Sequence, residues 1–340
     1  MIVILKTGAG EGEIQEVRAF LESQGFSIHL SQGAEKTIMG AVGLTDKDKN
    51  VLKDQLIGLP QVEDVVIVAK PYKLVNRDFH PEKTVIDVCG VKIGGPEVVV
   101  MAGPCTVESP EMILEAARVV KAAGARILRG GAYKPSTSPY SFHGMGIEGL
   151  KLLREAKQET GLPIITEVMD TRDVELVGEY TDIFQIGTRN MSNFSLLKEI
   201  GQTRIPAMLK RGMASTIEEW LQAAEYIASR GNYDIILCER GIRTFETAYR
   251  NVLDVNAIGE VAMRSHLPIC GDASHGTGRW QLVGGSTKAA LAAGADCVMI
   301  ETHPNPKTAL KDGMQSLTFS DFRRLMGELK PLVEALGRTM

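Results

Sequence analysis

Four residues able to ligate a metal stand just beyond short apolar runs: Cys105 in VVVMAGPCTVES, His275 in LPICGDASHGTG, Glu301 in DCVMIETHPNP and Asp312 in LKDGMQS. A thiolate, an imidazole and two carboxylates form a mixed sulfur, nitrogen and oxygen set. It suits Zn, Fe, Mn or Co and is too soft to prefer Mg or Ca. Cations follow other runs: Arg129, Lys134, Arg189, Lys210, Arg211 and Arg240, interleaved with Glu167, Glu239 and Asp272. Gathering so many positive charges is costly unless anions compensate. Arg forks onto carboxylate and phosphate, and Lys adds a point charge. The residues point to metal-assisted chemistry on a phosphorylated carboxylate. The bland alternative makes Cys105 a small buried hydrophobe and His275 a helix cap, with the cations solvated or salt-bridged to Glu167 and Glu239. No compact ligand motif is present, so the fold must bring these residues together.

From Val98 onward eight short β-branched runs alternate with amphipathic helical stretches: VVVMAGP, RILRGG, PIITEV, IFQIG, IPAMLK, DIILCERG, LPICGDAS and CVMIE. Eight strand–helix units over about 240 residues predict a (β/α)8 barrel, whose chemistry sits at the C-terminal ends of its strands. An open doubly wound sheet is the alternative, disfavoured by the count of eight and by the lack of GxGxxG after the first strand. Residues 1–70 read separately as βαββαβ, the split-βαβ order of a ferredoxin-like domain. They hold strands in IVILK, FSIHL, KTIMGAVG and VEDVVIV. One helix has apolar spacing at Ile14, Val17, Phe20 and Leu21, and another runs from about Asp46 to Leu59. Residues 71–97 are a linker with a hairpin in TVIDVCGVKIGG, and 98–340 are the barrel. The overall class is α/β.

The composition is that of an ordinary globular chain: 340 residues, 44% hydrophobic and 24% charged. A net charge of −4 gives no reason to expect nucleic acid or an anionic membrane as partner. The longest apolar runs fall well short of the ~20 residues of a membrane helix, and the opening MIVILKTG is too short for a signal peptide. Five cysteines without a CxxC pair suit a reduced, cytoplasmic protein with mostly buried thiols.

At these same residues the chain resembles a known family. GPCTVES, LRGGAYKPSTSPYSFHG, ITEVMD, QIGTRNM, MLKRGM, CERGIRTFE, DASHGTG, IETHPNP and LKDGMQS, taken in order, are similar to 3-deoxy-D-arabino-heptulosonate 7-phosphate (DAHP) synthases. The branch is the short-chain one that also holds the 3-deoxy-D-manno-octulosonate 8-phosphate synthases. The resemblance implies condensation of phosphoenolpyruvate with erythrose 4-phosphate, the first step of the shikimate pathway to aromatic amino acids. It implies Cys105, His275, Glu301 and Asp312 as ligands of a divalent transition metal (Mn, Zn, Fe or Co). Arg129, Lys134, Arg189, Lys210 and Arg240 would bind the carboxylate and phosphate of phosphoenolpyruvate. Ser136, Thr137, Glu167, Arg211 and Asp272 are further substrate-side candidates, and Lys134 and His275 are candidates for proton handling. Residues 1–70 resemble the regulatory extension that binds tyrosine or phenylalanine in some members, and a homotetramer is implied.

One position departs from the pattern. Where the family usually reads Lys-Pro-Arg-Thr, with the arginine on the phosphate of the aldehyde substrate, this chain reads Lys134-Pro135-Ser136-Thr137. Losing that charge costs about 1.5–3 kcal/mol of binding unless a neighbour such as His143 or Lys307 compensates. The departure keeps open an octulosonate-type synthase using arabinose 5-phosphate, and a degenerate barrel that only senses ligands. A Schiff-base aldolase on Lys210, its pKa lowered by Arg211, is a third alternative.

Overall fold

The computed structural model of the chain describes residues 1–33, 36–43, 49–67, 71–135 and 140–340. Ser136 and Thr137 therefore lie outside the described residues. The chain divides into two compact units, Met1–Glu82 with Arg264–His266, and Lys83–Met263 with Leu267–Met340.

The first unit is ferredoxin-like. Strands β1 (Ile2–Leu5), β2 (Ser27–Gln32), β3 (Thr37–Val42) and β4 (Val62–Val66) form a sheet in the order β2-β3-β1-β4, with helices α1 (Glu11–Ser23) and α2 (Lys49–Ile57) between them. Its pairs are antiparallel. Helix α1 begins where the Gly10 amide donates to Glu13 at 2.7 Å. It buries Ile14, Val17 and Leu21, the one-face spacing of a 3.6-residue period. These residues join Val3, Leu5, Met39, Leu52, Leu56 and Val65 in one apolar core. Phe79 lies against Gly40 so closely that a Cβ there would meet its ring at 2.6 Å. The His266 ring nitrogen Nε2 bonds the Leu74 carbonyl at 2.8 Å.

The second unit opens with a hairpin of β5 (Ile86–Val88) and β6 (Val91–Ile93). Eight parallel strands then close into a barrel: β7 (Val99–Gly103), β8 (Ile127–Arg129), β9 (Ile164–Glu167), β10 (Ile183–Ile186), β11 (Ala207–Lys210), β12 (Ile235–Glu239), β13 (Ile269–Asp272) and β14 (Cys297–Glu301). The helices α3 (Pro110–Ala122), α4 (Ile147–Thr160), α5 (Val174–Gly178), α6 (Phe194–Gly201), α7 (Ile217–Ala228), α8 (Val255–Arg264), α9 (Ala273–Thr277), α10 (Trp280–Ala292) and α11 (Phe319–Ala335) connect and follow them. All eight apolar runs are barrel strands. Capping follows the sequence at several helix starts: Ser109 accepts from the Met112 amide, and Thr216 with Glu219 forms a reciprocal box.

Side chains two residues apart share one face of a strand, and that parity fills the barrel. Val99, Met101, Ile127, Ile165, Ile183, Met208, Ile236, Cys238, Cys270, Cys297 and Met299 form one buried cluster with Ile86, Val88, Val91 and Ile93 of the hairpin. The hairpin thus packs its apolar face into the barrel core. Cys238 pairs in register with Cys270, and Cys270 with Cys297. All five cysteines are free, four of them buried.

Candidate active site

The same parity places the polar residues. Two positions past an interior apolar residue, on the same inward face, come Arg129 after Ile127, Glu167 after Ile165 and Gln185 after Ile183. Lys210 follows Met208 in this way, Arg240 follows Cys238, Asp272 follows Cys270 and Glu301 follows Met299. All seven are buried. They lie where a barrel puts its chemistry, beside a cavity of about 150 Å³ whose walls include Lys134, Glu167, Gln185, Lys210, Arg240 and His275. Gly187 is part of that wall, and a larger residue there would displace the Glu167 carboxylate, since a Cβ would stand 2.0 Å from its Oε1.

The ligand atoms of Cys105, Glu301 and Asp312 lie within 4.8 Å of one another. The Cys105 thiol donates to Asp312 Oδ2 at 3.1 Å. His275 adjoins this group through Glu301, with Nε2 at 3.3 Å from Oε1. The short helix α9 carries His275, and the Asp272 carboxylate caps it by accepting the His275 amide at 3.1 Å. Asp312 holds a left-handed backbone at φ 50°, which Asp tolerates better than most residues. Burial, reinforced by the charge of Glu301, pushes the Cys105 thiol well above its ordinary value. Burial also presses on Glu301, but His275, Arg129 and Lys134 outweigh it and hold this carboxyl far below the usual range. Burial lowers His275 to about 4 against the opposing pull of Asp272 and Glu301. The structure brings the thiol and two acids together and sets the imidazole against one of those acids, and this donor set fits a transition metal by its chemistry.

The cations differ in how they are held. Arg129 is fully buried and paired with Glu301. Lys210 sits 2.7 Å from Asp272 Oδ2, the oxygen that His275 Nδ1 also approaches at 2.7 Å. That second approach lies off the ring N–H axis, since Nδ1 makes no well-directed hydrogen bond. Lys134 lies 3.9 Å from Asp312. Arg240 has no carboxylate within 4.0 Å among the described residues, and its buried Nε has no partner. Arg189 and Asp312 line the cavity as well.

Arg211 stands apart. It follows Lys210 and so takes the opposite parity, as Glu239 does one residue before Arg240. The two pair at 2.9 Å on the outer face of the sheet, Asp254 adds a second contact at 3.0 Å, and the guanidinium lies over the Trp220 ring of α7. Arg211 is not among the cavity walls.

Four residues in or around the site were not singled out by their sequence: Gln185, Arg250, Lys311 and Gln315. Arg250 and Lys311 line the cavity. Gln315 links Arg250 to Glu301, accepting from the first at 2.9 Å and donating to the second at 2.6 Å. Gln185 could have been found by inward parity. The other three lie outside the strands and carry no periodic signal.

Comparison with known proteins gives the family. A family model described as "DAHP synthetase I family" matches residues 74–335, and one described as "DAHP synthase ferredoxin-like domain" matches 1–70. The chain belongs to the DAHP synthetase I family. It is 50% identical over 337 residues to a phospho-2-dehydro-3-deoxyheptonate aldolase of Thermotoga maritima, covering 99% of each chain. A crystal structure of the Thermotoga maritima DAHP synthase superposes with a TM-score of 0.79 at 50% identity, over 99% of this chain and 98% of that one. A truncated form of the Thermotoga enzyme covers 79% of this chain with a TM-score of 0.75. A 2-dehydro-3-deoxyphosphooctonate aldolase of Protochlamydia amoebophila is 32% identical over 265 residues, 72% of this chain and 95% of that protein. No helix among the described residues is long and apolar enough to cross a membrane.

Proposed function

We propose that the barrel condenses phosphoenolpyruvate with erythrose 4-phosphate and water to give 3-deoxy-D-arabino-heptulosonate 7-phosphate and inorganic phosphate. One observation carries this reading: a Cys/Glu/Asp group with His275 beside it opens on the same cavity as Lys134, Lys210, Arg189 and Arg240. Cys105, His275, Glu301 and Asp312 would hold the metal, which supplies Lewis-acid polarisation of the aldehyde when bound. Arg240, which has no acidic partner, and Lys210 receive the phosphate and carboxylate of phosphoenolpyruvate, with Arg189 on the same wall. Burial lowers Lys134, but the acids around it, Cys105, Glu167 and Glu301, reverse the effect and keep Nζ a firmly held ammonium. Nζ is thus the donor that protonates the aldehyde oxygen as C3 of the enol phosphate forms the new C–C bond. Water adds at C2, the C–O bond to phosphate breaks, and the cations hold the departing phosphate. Asp272 holds Lys210 and His275 in place from below.

Residues 1–70, which match a ferredoxin-like domain of DAHP synthases, fit the role of an effector domain for tyrosine or phenylalanine. A cytoplasmic homotetramer is the assembly we infer. Lys210 suits ion pairing better than Schiff-base chemistry, because its ammonium is locked to Asp272. The test is a panel of aldoses with phosphoenolpyruvate, following loss of the enol phosphate and identifying the product. Turnover should be fastest with erythrose 4-phosphate. Preference for arabinose 5-phosphate would shift the assignment to the octulosonate branch.

A further inference from the structure

Two phosphate-bearing anions must share one barrel mouth, and each phosphate needs its own cationic partner. The deep cations are used first. Lys210 and Arg240 sit on the inward face at the strand ends, both buried, beside the cluster where the new bond would form. A four-carbon aldose phosphate carries its phosphate at the end opposite the aldehyde. With the aldehyde near Glu301 and Asp312, that phosphate lies farther out, towards the loops. The sequence resemblance implies an arginine after Lys-Pro for that phosphate, whereas this chain has Ser136 at the position.

Two outer cations on loops after β12 and β14 line the cavity: Arg250 and Lys311. Arg250 is already engaged, 3.6 Å from Asp312 and hydrogen-bonded to Gln315 at 2.9 Å. Lys311 directly precedes Asp312, is half-buried, and has no carboxylate within 4.0 Å among the described residues. Lys307 and His143, the neighbours suggested by sequence distance alone, do not line the cavity.

We propose that Lys311 binds the phosphate of the aldose substrate, so that the charge absent at Ser136 is supplied from the loop after β14. Pro135, next to Ser136 in sequence, and Lys311 line the same cavity. The inference rests on the function proposed above, and its test separates the two.

The experiment compares wild type, Lys311→Met, Ser136→Arg and the double variant with erythrose 4-phosphate, with unphosphorylated erythrose, and across phosphoenolpyruvate concentrations. Lys311→Met should raise the KM for erythrose 4-phosphate about 10-fold or more, the size of one lost charge-assisted hydrogen bond. The KM for phosphoenolpyruvate and kcat/KM for erythrose should stay within about twofold, because neither involves the second phosphate. Ser136→Arg should recover most of the lost affinity in the Lys311→Met background. An unchanged KM for erythrose 4-phosphate overturns the assignment, as does an equal fall in kcat/KM for the phosphorylated and unphosphorylated sugars. If wild type fails to consume erythrose 4-phosphate at all, the proposed function itself is overturned.

Discussion

Replacing Asp272 with Asn is the sharpest probe of how the buried charges hold one another. Asn keeps the size of the side chain and the Oδ1 that caps the His275 amide. It loses the oxygen on which Lys210 and His275 both lean at 2.7 Å. Lys210 is only 4% exposed, so water cannot replace the lost partner. Removing one member of a buried pair costs about 3–5 kcal/mol, because the other charge stays buried without compensation. Asp272→Asn should therefore destabilise the barrel by about 3–5 kcal/mol. Urea unfolding followed by tryptophan fluorescence reports this unit, since both tryptophans, Trp220 and Trp280, belong to it. Adding Lys210→Met to Asp272→Asn should return at least about 2 kcal/mol, because the orphaned charge is gone. Phosphoenolpyruvate should stabilise the single variant more than wild type. A loss below about 1 kcal/mol, or a double variant no more stable than Asp272→Asn, would refute the reasoning.

Further outcomes follow from the same geometry. Arg211→Met should lower barrel stability by about 3–5 kcal/mol, as expected for breaking a buried pair. It should leave the KM for phosphoenolpyruvate unchanged; a large rise would place Arg211 in the cavity after all. Burial lowers His266 from 6.5 to about 4, its bond to Leu74 opposing and His80 and Arg77 adding to the shift. The unfolded chain then binds the extra proton first. The contribution is intact above pH 6.5 and is lost as pH falls towards 4, with a ceiling of about 3 kcal/mol. His266→Gln should flatten the fall in urea midpoint over that window, and an unaltered pH profile would count against it. Deleting residues 1–70 should leave a folded, active barrel that no longer responds to tyrosine or phenylalanine. Retained inhibition would show that the effector acts elsewhere.

Much of this was legible in the chain because a barrel strand has only two faces. Once RILR, AMLK, ICGD and CVMIE are read as strands, inward parity alone picks out Arg129, Lys210, Asp272 and Glu301 from the charged residues near them. The same rule separates Arg211 and Glu239, one position out of phase, and puts both on the outer face. Which cation meets which acid was not legible. Arg129 reaches Glu301 across 172 positions of chain and Lys210 reaches Asp272 across 62, distances that closure of the barrel alone makes short. Loop residues were harder still. Arg250, Lys311 and Gln315 take their places from the paths of loops that no periodicity governs. The residues Arg264–His266 group with the N-terminal unit through contacts such as His266 with Leu74, which nothing in their local sequence announces.

The central claim is that the Cys105, His275, Glu301 and Asp312 group serves a metal on which condensation depends. The most direct test is to strip the purified protein with a strong chelator and measure heptulosonate phosphate formation from phosphoenolpyruvate and erythrose 4-phosphate. Mn, Zn, Fe or Co is then restored one at a time, with Cys105→Ala in parallel. Activity should vanish on stripping and return with at least one metal in wild type, and should not return in the variant. Full turnover in the stripped protein, with a Lys210 adduct trapped by borohydride, would contradict it.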